Sequence, residues 1–265
     1  MKSRAIWCLA LSFLLLPLLV LSAYADSINL GAASGYSVLA GSAVTNTGTT
    51  VLSGSLGVSP GCALSGAGTM TVGGATNLCN AAAGKAQTAL TAAYLQAQGL
   101  KPTGNLTGTD LGGLTLNSGV YLFTSSADLA TGMTLTLEGT PGALFVFQIG
   151  SSLTTGTGSA VIFINSLTGK AMTDPNIFWQ VGSSATLGTT TAFEGNILAL
   201  SSITLNTGAT ITCGSALAQT GAVTLQGNTI SGCGGTTRVP EPGTMGFLGT
   251  GLVILGGAVR RRLHI

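Results

Sequence analysis

Residues 176–195 read NIFWQVGSSATLGTTTAFEG, residues 196–214 read NILALSSITLNTGATITCG, and residues 215–233 read SALAQTGAVTLQGNTISGC. The three segments repeat one pattern at a step of about nineteen residues, each with three short strand-like pieces separated by Gly, Ser, Thr or Asn. A strand-built repeat of this length predicts the coils of a β-solenoid, in which each copy stacks on the next.

The middle piece of each copy alternates apolar residues with threonine. Side chains alternate along a strand, so the apolar residues should point inward and the threonine between them outward. The inward pairs are Ala185 and Leu187, Ile203 and Leu205, and Val223 and Leu225. The outward residues Thr186, Thr204 and Thr224 should stack at about 4.8 Å, and aligning Gly150-Ser-Ser-Leu-Thr with Gly182-Ser-Ser-Ala-Thr adds Thr154. Beside this predicted row lie the small residues Ser152, Ser184, Ser202 and Ala222.

Other segments extend the solenoid and add a helix. Residues 36–54 resemble a first coil, and residues 165–175 are expected to loop out at one edge. Residues 80–98 are rich in Ala, Leu and Gln, and they predict one helix, capped by Asn80 and ended by Gly99 with Pro102. Its apolar stripe is predicted as Ala82, Ala86, Leu90, Ala93 and Ala97. We expect it to cover the strands at 177–181, 196–200 and 216–219, which are apolar on both faces.

Both ends of the chain have the pattern of targeting segments. Residues 1–25 have basic residues, an apolar run and Ala23-Tyr24-Ala25, which together predict a cleaved signal peptide; an uncleaved anchor is the alternative. The solenoid domain is then expected to span residues 26–234. In the tail, residues 235–265, Pro240-Glu241-Pro242 precedes an apolar stretch at 245–259 and three arginines. That stretch is short for a spanning helix, so it predicts a marginal, transient membrane anchor.

Composition argues against two classes of function. Only 6% of the 265 residues are charged, and residues 26–238 hold four basic and six acidic side chains, so no basic patch favours nucleic-acid binding. His264 is the only histidine and lies in the tail, which leaves paired carboxylates as the enzymatic option. Asp110, Asp128, Glu138, Asp174 and Glu194 do not recur at one position of the coils. The sequence therefore predicts a protein that is not an enzyme and carries no cofactor or metal.

Four cysteines remain once the signal peptide is removed. Cys213 and Cys233 are twenty residues apart, which places them at similar positions on neighbouring coils and predicts a disulfide between them. Cys62 and Cys79 are then expected to form the second pair, as suits an exported chain. A zinc site is the rival interpretation, but neither spacing is the short one of zinc ligands.

Two parts of the chain resemble known families. Pro-Glu-Pro, a short apolar helix and an arginine cluster resemble the PEP-CTERM sorting tail, which implies tail removal by an exosortase during export and a Gram-negative bacterium. The predicted signal peptide implies signal peptidase as a second partner during export. The segments GVSPG (57–61), LNSGVYLF, GNILA, SITLNTGAT and ALAQTGAVTLQGNTI resemble the microbial ice-binding protein family. That resemblance implies a mostly β protein, a right-handed discontinuous β-solenoid of triangular cross-section with a helix along one face, which binds ice crystals through a flat face.

The predicted row suits such a role, because small hydroxyls and methyls at a fixed repeat hold ordered water rather than a charged ligand. We therefore predict ice binding by Thr154, Thr186, Thr204 and Thr224 with Ser152, Ser184 and Ser202. Thr131, Thr134, Thr207 and Thr210 form an alternative face, since Thr-Gly-x-Thr resembles an ice-binding motif of some family members. Two alternatives remain: a purely structural threonine ladder, and a secreted or cell-surface protein that binds exopolysaccharide matrix or other cells.

Overall fold

The computed structural model describes residues 28–174 and 176–233. The predicted signal peptide at 1–25 lies outside the described residues. So does the tail at 235–265, with its expected apolar helix at 245–259 and the motif Pro240, Glu241 and Pro242.

The described chain is mostly β, with one long helix. Before the helix the strands are β1 (Tyr36–Ala40), β2 (Ala43–Thr47), β3 (Thr50–Leu52), β4 (Ser55–Val58), β5 (Ala63–Ser65), β6 (Met70–Val72) and β7 (Thr76–Leu78). The helix α1 spans Ala81–Gly99. After it come β8 (Gly104–Asn105), β9 (Thr115–Asn117), β10 (Gly119–Phe123), β11 (Ala127–Leu129), β12 (Thr134–Gly139), β13 (Phe145–Ile149), β14 (Leu153–Thr155), β15 (Ala160–Asn165), β16 (Lys170–Met172), β17 (Ile177–Val181), β18 (Ala185–Leu187), β19 (Ala192–Ala199), β20 (Ile203–Leu205), β21 (Thr210–Ala218), β22 (Val223–Gln226) and β23 (Thr229–Ser231). Single 3-10 turns lie at Gly31–Ala33 and Ala67–Thr69.

Three strands make one coil of a solenoid, which confirms the predicted fold class. Coils 1, 2, 4 and 5 are β1–β3, β4–β6, β10–β12 and β13–β15, while coil 3 has only β8 and β9. Coils 6, 7 and 8 are the three sequence repeats, and β19 and β21 bend from one coil into the next. Strands that face each other in neighbouring coils pair in parallel, so each strand position builds one sheet face.

The coils do not stack in chain order. The middle strands pair in the order β11, β14, β18, β20, β22, β2 and β5, so coils 4 to 8 are followed by coil 1 and then coil 2. Coil 3 extends the stack beyond coil 4 through β8 and β9, and β7 extends it beyond coil 2. Coil 1 therefore stacks on coil 8, the last coil of the repeat array.

Coils 4 to 8 each turn one corner with a left-handed residue after the middle strand. Glycine takes this position in coils 4, 5, 7 and 8, at Gly132, Gly158, Gly208 and Gly227, with φ between 64° and 71°. We call these four residues the glycine track. Glycine suits the site because it has no Cβ to clash in this conformation. Coil 6 has Thr190 there, with φ 56°.

The coil interior is filled by apolar side chains in register. Tyr121, Phe147 and Trp179 are partners on β10, β13 and β17, and their rings stack with centroids 5.6 Å and 3.9 Å apart. Tyr36 belongs to the buried cluster under the helix. Such aromatic stacking adds to the burial energy of each ring and favours a fixed coil register.

The helix packs against one side of the solenoid, as predicted. Ala86, Leu90, Ala93 and Ala97 are buried against a cluster that includes Phe178, Leu198 and Leu217. The Asn80 side chain accepts from Ala83 N at 2.9 Å, which confirms the predicted cap. We call this side, formed by β8, β10, β13, β17, the ends of β19 and β21, β1, β4 and β7, the helix face.

One residue of the predicted helix stripe is wrong. Ala82 is exposed and Ala83 is buried instead. The observed spacing from Ala83 to Ala86 to Leu90 alternates three and four residues, which keeps a 3.6-residue helix on one line, whereas two successive steps of four drift around it.

The remaining fold predictions concern the insertion and the cysteines. The segment predicted to loop out forms a short hairpin, in which β16 pairs antiparallel with β15. Disulfides link Cys62 to Cys79 and Cys213 to Cys233, the expected pairs. Among residues 28–174 and 176–233 there is no helix long and apolar enough to cross a membrane.

Candidate functional site

The seven-stranded sheet of middle strands presents an open face that we call the threonine face. Its outward central residues are register partners across six strand pairs. In spatial order this central row is Asp128, Thr154, Thr186, Thr204, Thr224, Thr45 and Ser65. The structure therefore aligns all four threonines predicted for the row, at the inter-strand spacing of about 4.8 Å.

Sequence reasoning missed the two residues that lengthen the row. Thr45 and Ser65 belong to β2 and β5, which pair with each other and join the array through β22. The signal was present, because Val44-Thr45 repeats the apolar-threonine order of Val223-Thr224. At the opposite end the row closes on Asp128, the one charged residue that points outward on the described part of this face.

The row's hydroxyls are available to solvent. Within residues 28–174 and 176–233, the hydroxyls of Thr45, Thr154, Thr186, Thr204 and Thr224 make no hydrogen bond to protein atoms. Thr45 and Thr154 are exposed, and the other three are half-buried between their neighbours. Each threonine therefore offers one methyl and one free hydroxyl to the water above the sheet.

The predicted serines form a second row beside the threonines. Ser184 Oγ accepts from Ser202 N at 3.3 Å, and Ser202 Oγ accepts from Ala222 N at 3.2 Å. With Ser126 and Ser152 at one end and Ala43 and Ala63 at the other, every residue of this second row is small. Because these side chains are short, the row keeps the face flat, and two of its hydroxyls also hold coil to coil.

The alternative residues divide between a ridge and another face. Backbone bonds from Gly132 N to Thr157 O, Gly158 N to Thr189 O and Thr190 N to Thr207 O align one threonine of each of coils 4 to 7 along the corner. We call this line, Thr131, Thr157, Thr189 and Thr207, the ridge row. It borders the threonine face, so Thr131 and Thr207 adjoin the main candidate site.

Thr134 and Thr210 instead lie on the third face, formed by β9, β12, β15, the starts of β19 and β21, β23, β3 and β6. They share one line, but Ala160 and Ala192 stand between them. The same line continues through Thr229 to Val51, which is 42% exposed. The third face therefore lacks an unbroken threonine row among the described residues, and the four alternative residues do not form one array.

Two carboxylates that the sequence did not bring together meet behind the third face. Glu194 Oε1 accepts from Asp174 N at 2.9 Å, and Asp174 accepts from Gly142 N at 2.6 Å and Asn176 N at 2.9 Å. Burial, opposed by backbone hydrogen bonds and reinforced by the Asp174 charge, raises the pKa of Glu194 from 4.5 to about 7. Asp174 and Glu194 are only 2% and 5% exposed. The two side chains therefore bind backbone groups around the hairpin and are not placed to bind a molecule from solvent.

The threonine face thus has the properties of a surface for ordered water. It is flat, it repeats at a fixed step, and it bears methyls and unbonded hydroxyls with one charge at its edge. Water over such a face can bond to the hydroxyls while the methyls restrict its arrangement.

Known protein families match the solenoid and the C-terminal tail separately. Residues 38–231 match the family described as ice-binding-like, and residues 238–262 match the PEP-CTERM protein-sorting motif. An ice-binding protein of Nostoc sp. (strain HG1) is 50% identical over 241 residues, covering 89% of this chain and 87% of the relative.

Solved structures agree with the sequence comparison. An ice-binding protein from an Antarctic biological consortium has 43% identity and a TM-score of 0.71, covering 77% of this chain and 90% of its own. An ice-binding protein of the Antarctic ascomycete Antarctomyces psychrotrophicus has 36% identity and a TM-score of 0.72, covering 77% of this chain and 98% of its own.

Proposed function

Since the chain belongs to the ice-binding-like family, we propose that it adsorbs to ice through the threonine face and so restrains ice growth and recrystallisation. One observation carries this proposal: Thr154, Thr186, Thr204, Thr224 and Thr45 form an unbroken row with free hydroxyls. The ice-binding set comprises this row with Ser152, Ser184 and Ser202.

The mechanism follows from how water meets the row. Each methyl displaces mobile water, and each hydroxyl holds a water molecule at a position fixed by the strand spacing of about 4.8 Å. Water ordered in this way merges with the lattice of a growing crystal. The ice front must then curve between adsorbed molecules, which opposes further growth.

Flatness and continuity favour the threonine face over the third face. On the third face the line of Thr134 and Thr210 is broken by Ala160 and Ala192 and again by exposed Val51. Helix α1 covers the remaining side. Within the described part of the chain, the threonine face is therefore the one side where a rigid repeat of identical groups meets solvent.

We propose that the protein acts outside the cell of a Gram-negative bacterium. The PEP-CTERM match supports sorting of the tail by an exosortase. The pattern of residues 1–25 supports a signal peptide that signal peptidase removes during export, which leaves the solenoid domain at 26–234. The described chain ends at Ile28, which packs near the helix, and at Cys233, which follows β23. Neither residue belongs to a strand of the threonine face.

A matrix or cell-surface adhesin is the second candidate, and the sorting motif is the observation that favours it. Exposed aromatic side chains, which are enriched at binding interfaces, would favour this candidate. Here Trp179 is fully buried, Tyr36 is 8% exposed, and Tyr121 packs on Phe147. None of these three residues offers an exposed aromatic surface, which favours ice binding over the adhesin candidate.

The deciding experiment measures entry of labelled protein into ice. A single ice hemisphere is grown slowly in a dilute solution of the labelled segment 26–238, with a folded, non-binding protein as the control. Incorporation of the label with faceted crystals would support the proposal. Clean exclusion of a folded protein would refute it and favour the adhesin.

A further inference from the structure

Thr190 departs from the pattern of its own corner. Its φ is 56°, a left-handed conformation that non-glycine residues adopt rarely and β-branched residues least of all. Neighbouring coils place Gly158 and Gly208 at the equivalent position, with φ 66° and 71°. The corner therefore folds with glycine, and a threonine there carries backbone strain that the fold does not require.

The side chain of Thr190 contributes little to the stability of the fold. Its hydroxyl donates to the carbonyl of Thr189 at 2.7 Å, the residue directly before it. The bond that links its coil to the next runs from Thr190 N to Thr207 O at 2.9 Å, and Gly158 makes the same backbone bond to Thr189 O at 2.9 Å. The coil-to-coil contact is thus independent of the side chain.

The side chain of Thr190 instead lies between Gly158 and Gly208 of the glycine track, where neither glycine contributes a side chain. A methyl group built on Gly208 would lie 3.5 Å from Thr190 Cγ2, and one built on Gly158 would lie 4.0 Å from Thr190 Oγ1. Thr190 is exposed and directly follows Thr189 of the ridge row. It therefore presents a methyl and a hydroxyl to solvent at the corner, next to the ridge row.

We propose that Thr190 is an ice-contacting residue that extends the binding surface from the threonine face across the ridge. This inference rests on the proposed function, since it assigns a further contact to the same surface. The strained backbone is retained because it positions a threonine where the neighbouring coils offer only glycine.

The test compares wild-type protein with Thr190→Gly in two measurements, thermal unfolding and inhibition of ice recrystallisation. Glycine relieves the strain, so the melting temperature should rise by about 2–4 °C. Loss of the contacting methyl and hydroxyl should raise the protein concentration needed for inhibition by about threefold or more. Greater stability with weaker activity is a combination that a purely structural residue would not give.

Two further variants separate the contact from the backbone effect. Thr190→Ala keeps the left-handed backbone strained and removes the contacting groups, so it should lose activity as Thr190→Gly does while the melting temperature stays near that of wild type. Thr212→Gly, at an exposed position on the third face, should lower the melting temperature and leave activity unchanged.

Each outcome decides the matter. If Thr190→Gly keeps the activity of wild type, or if its melting temperature falls, Thr190 is not an ice-contacting residue. The proposed function would still stand in that case, provided that the wild-type protein binds ice. A wild-type protein that shows no affinity for ice would instead overturn the proposed function, and this inference with it.

Discussion

Thr45 stands directly beside Thr224 on the threonine face, although the two residues belong to the first and last coils of the chain. The contact arises because β2 pairs in parallel with β22. The central row thus combines threonines from both ends of the solenoid sequence, and its continuity depends on the insertion of coil 1 at the end of the repeat array.

The double substitution Thr186→Tyr and Thr204→Tyr should abolish ice binding. Two adjacent rings would rise above the flat face and hold the water layer away from the row. Both residues point outward, so the melting temperature should stay within a few degrees of wild type. Ice affinity and recrystallisation inhibition measure the effect, with Thr212→Tyr on the third face as the control. Persistent activity of the folded double variant would assign binding to another face.

Thr45→Tyr should weaken ice binding as strongly as a single tyrosine at Thr204, despite its distance in sequence. Both threonines occupy the central row, and each is flanked by small residues of the second row. The matched control is Thr71→Tyr, an exposed residue of β6 on the third face. If Thr45→Tyr and Thr71→Tyr had the same activity, the binding surface would end at coil 8.

Gln148→Leu should destabilise the protein and loosen the end of α1. Gln148 Nε2 donates to the carbonyls of Ala97 at 2.8 Å, Gln98 at 3.2 Å and Leu100 at 2.8 Å, groups that have no partner within the helix. Removing this buried donor should reduce the free energy of unfolding by about 1–3 kcal/mol.

Hydrogen exchange at residues 95–100 should speed up in the same variant, because the last helical turn loses its anchor. Gln98→Leu, at an exposed site on the same turn, serves as the control. Equal exchange rates in the two variants would contradict the anchoring role of Gln148.

The stability of the protein should fall as the pH rises from about 4.5 to about 7. The pKa of Glu194 is about 7 in the folded protein, above its ordinary value of 4.5, because the side chain is buried and faces Asp174. In that window the folded state keeps a proton that the unfolded chain has released. The free energy of unfolding should therefore decrease by roughly 2–3 kcal/mol across it and then level off.

Chemical denaturation followed by Trp179 fluorescence at pH 4.5, 6 and 8 would measure this fall. Glu194→Gln resembles the protonated form and should flatten the profile. Glu138→Gln, at a half-buried carboxylate of β12, should retain the fall. A profile that keeps its slope in Glu194→Gln would show that another group is responsible.

Local patterns were sufficient to predict the coils, the helix and the inward residues of the repeats. Alternation along 185–187, 203–205 and 223–225 fixes which side chains enter the core, and Asn80 marks the helix start. These features depend on neighbouring residues alone, so one sequence reveals them.

Features that depend on stacking order could not be predicted in the same way. Thr45 joined the row only through the pairing of β2 with β22, and Asp174 met Glu194 only because the hairpin folds back against coil 6. The interruption of the third-face line by Ala160 and Ala192 likewise needs the register between coils. Pairing across long sequence separations is set by the packing of whole coils, and local patterns do not encode it.

Coil 7 has neighbours in parallel register on both sides, whereas coils 2 and 3 close the stack at its two ends. A gene duplication of residues 196–214 would therefore insert one more rung in the interior and leave both caps as they are. The threonine face can thus be lengthened or shortened by one coil at a time, without any change to the coils at its ends. The array is modular in its middle, and its size is open to gradual tuning by evolution or by protein engineering.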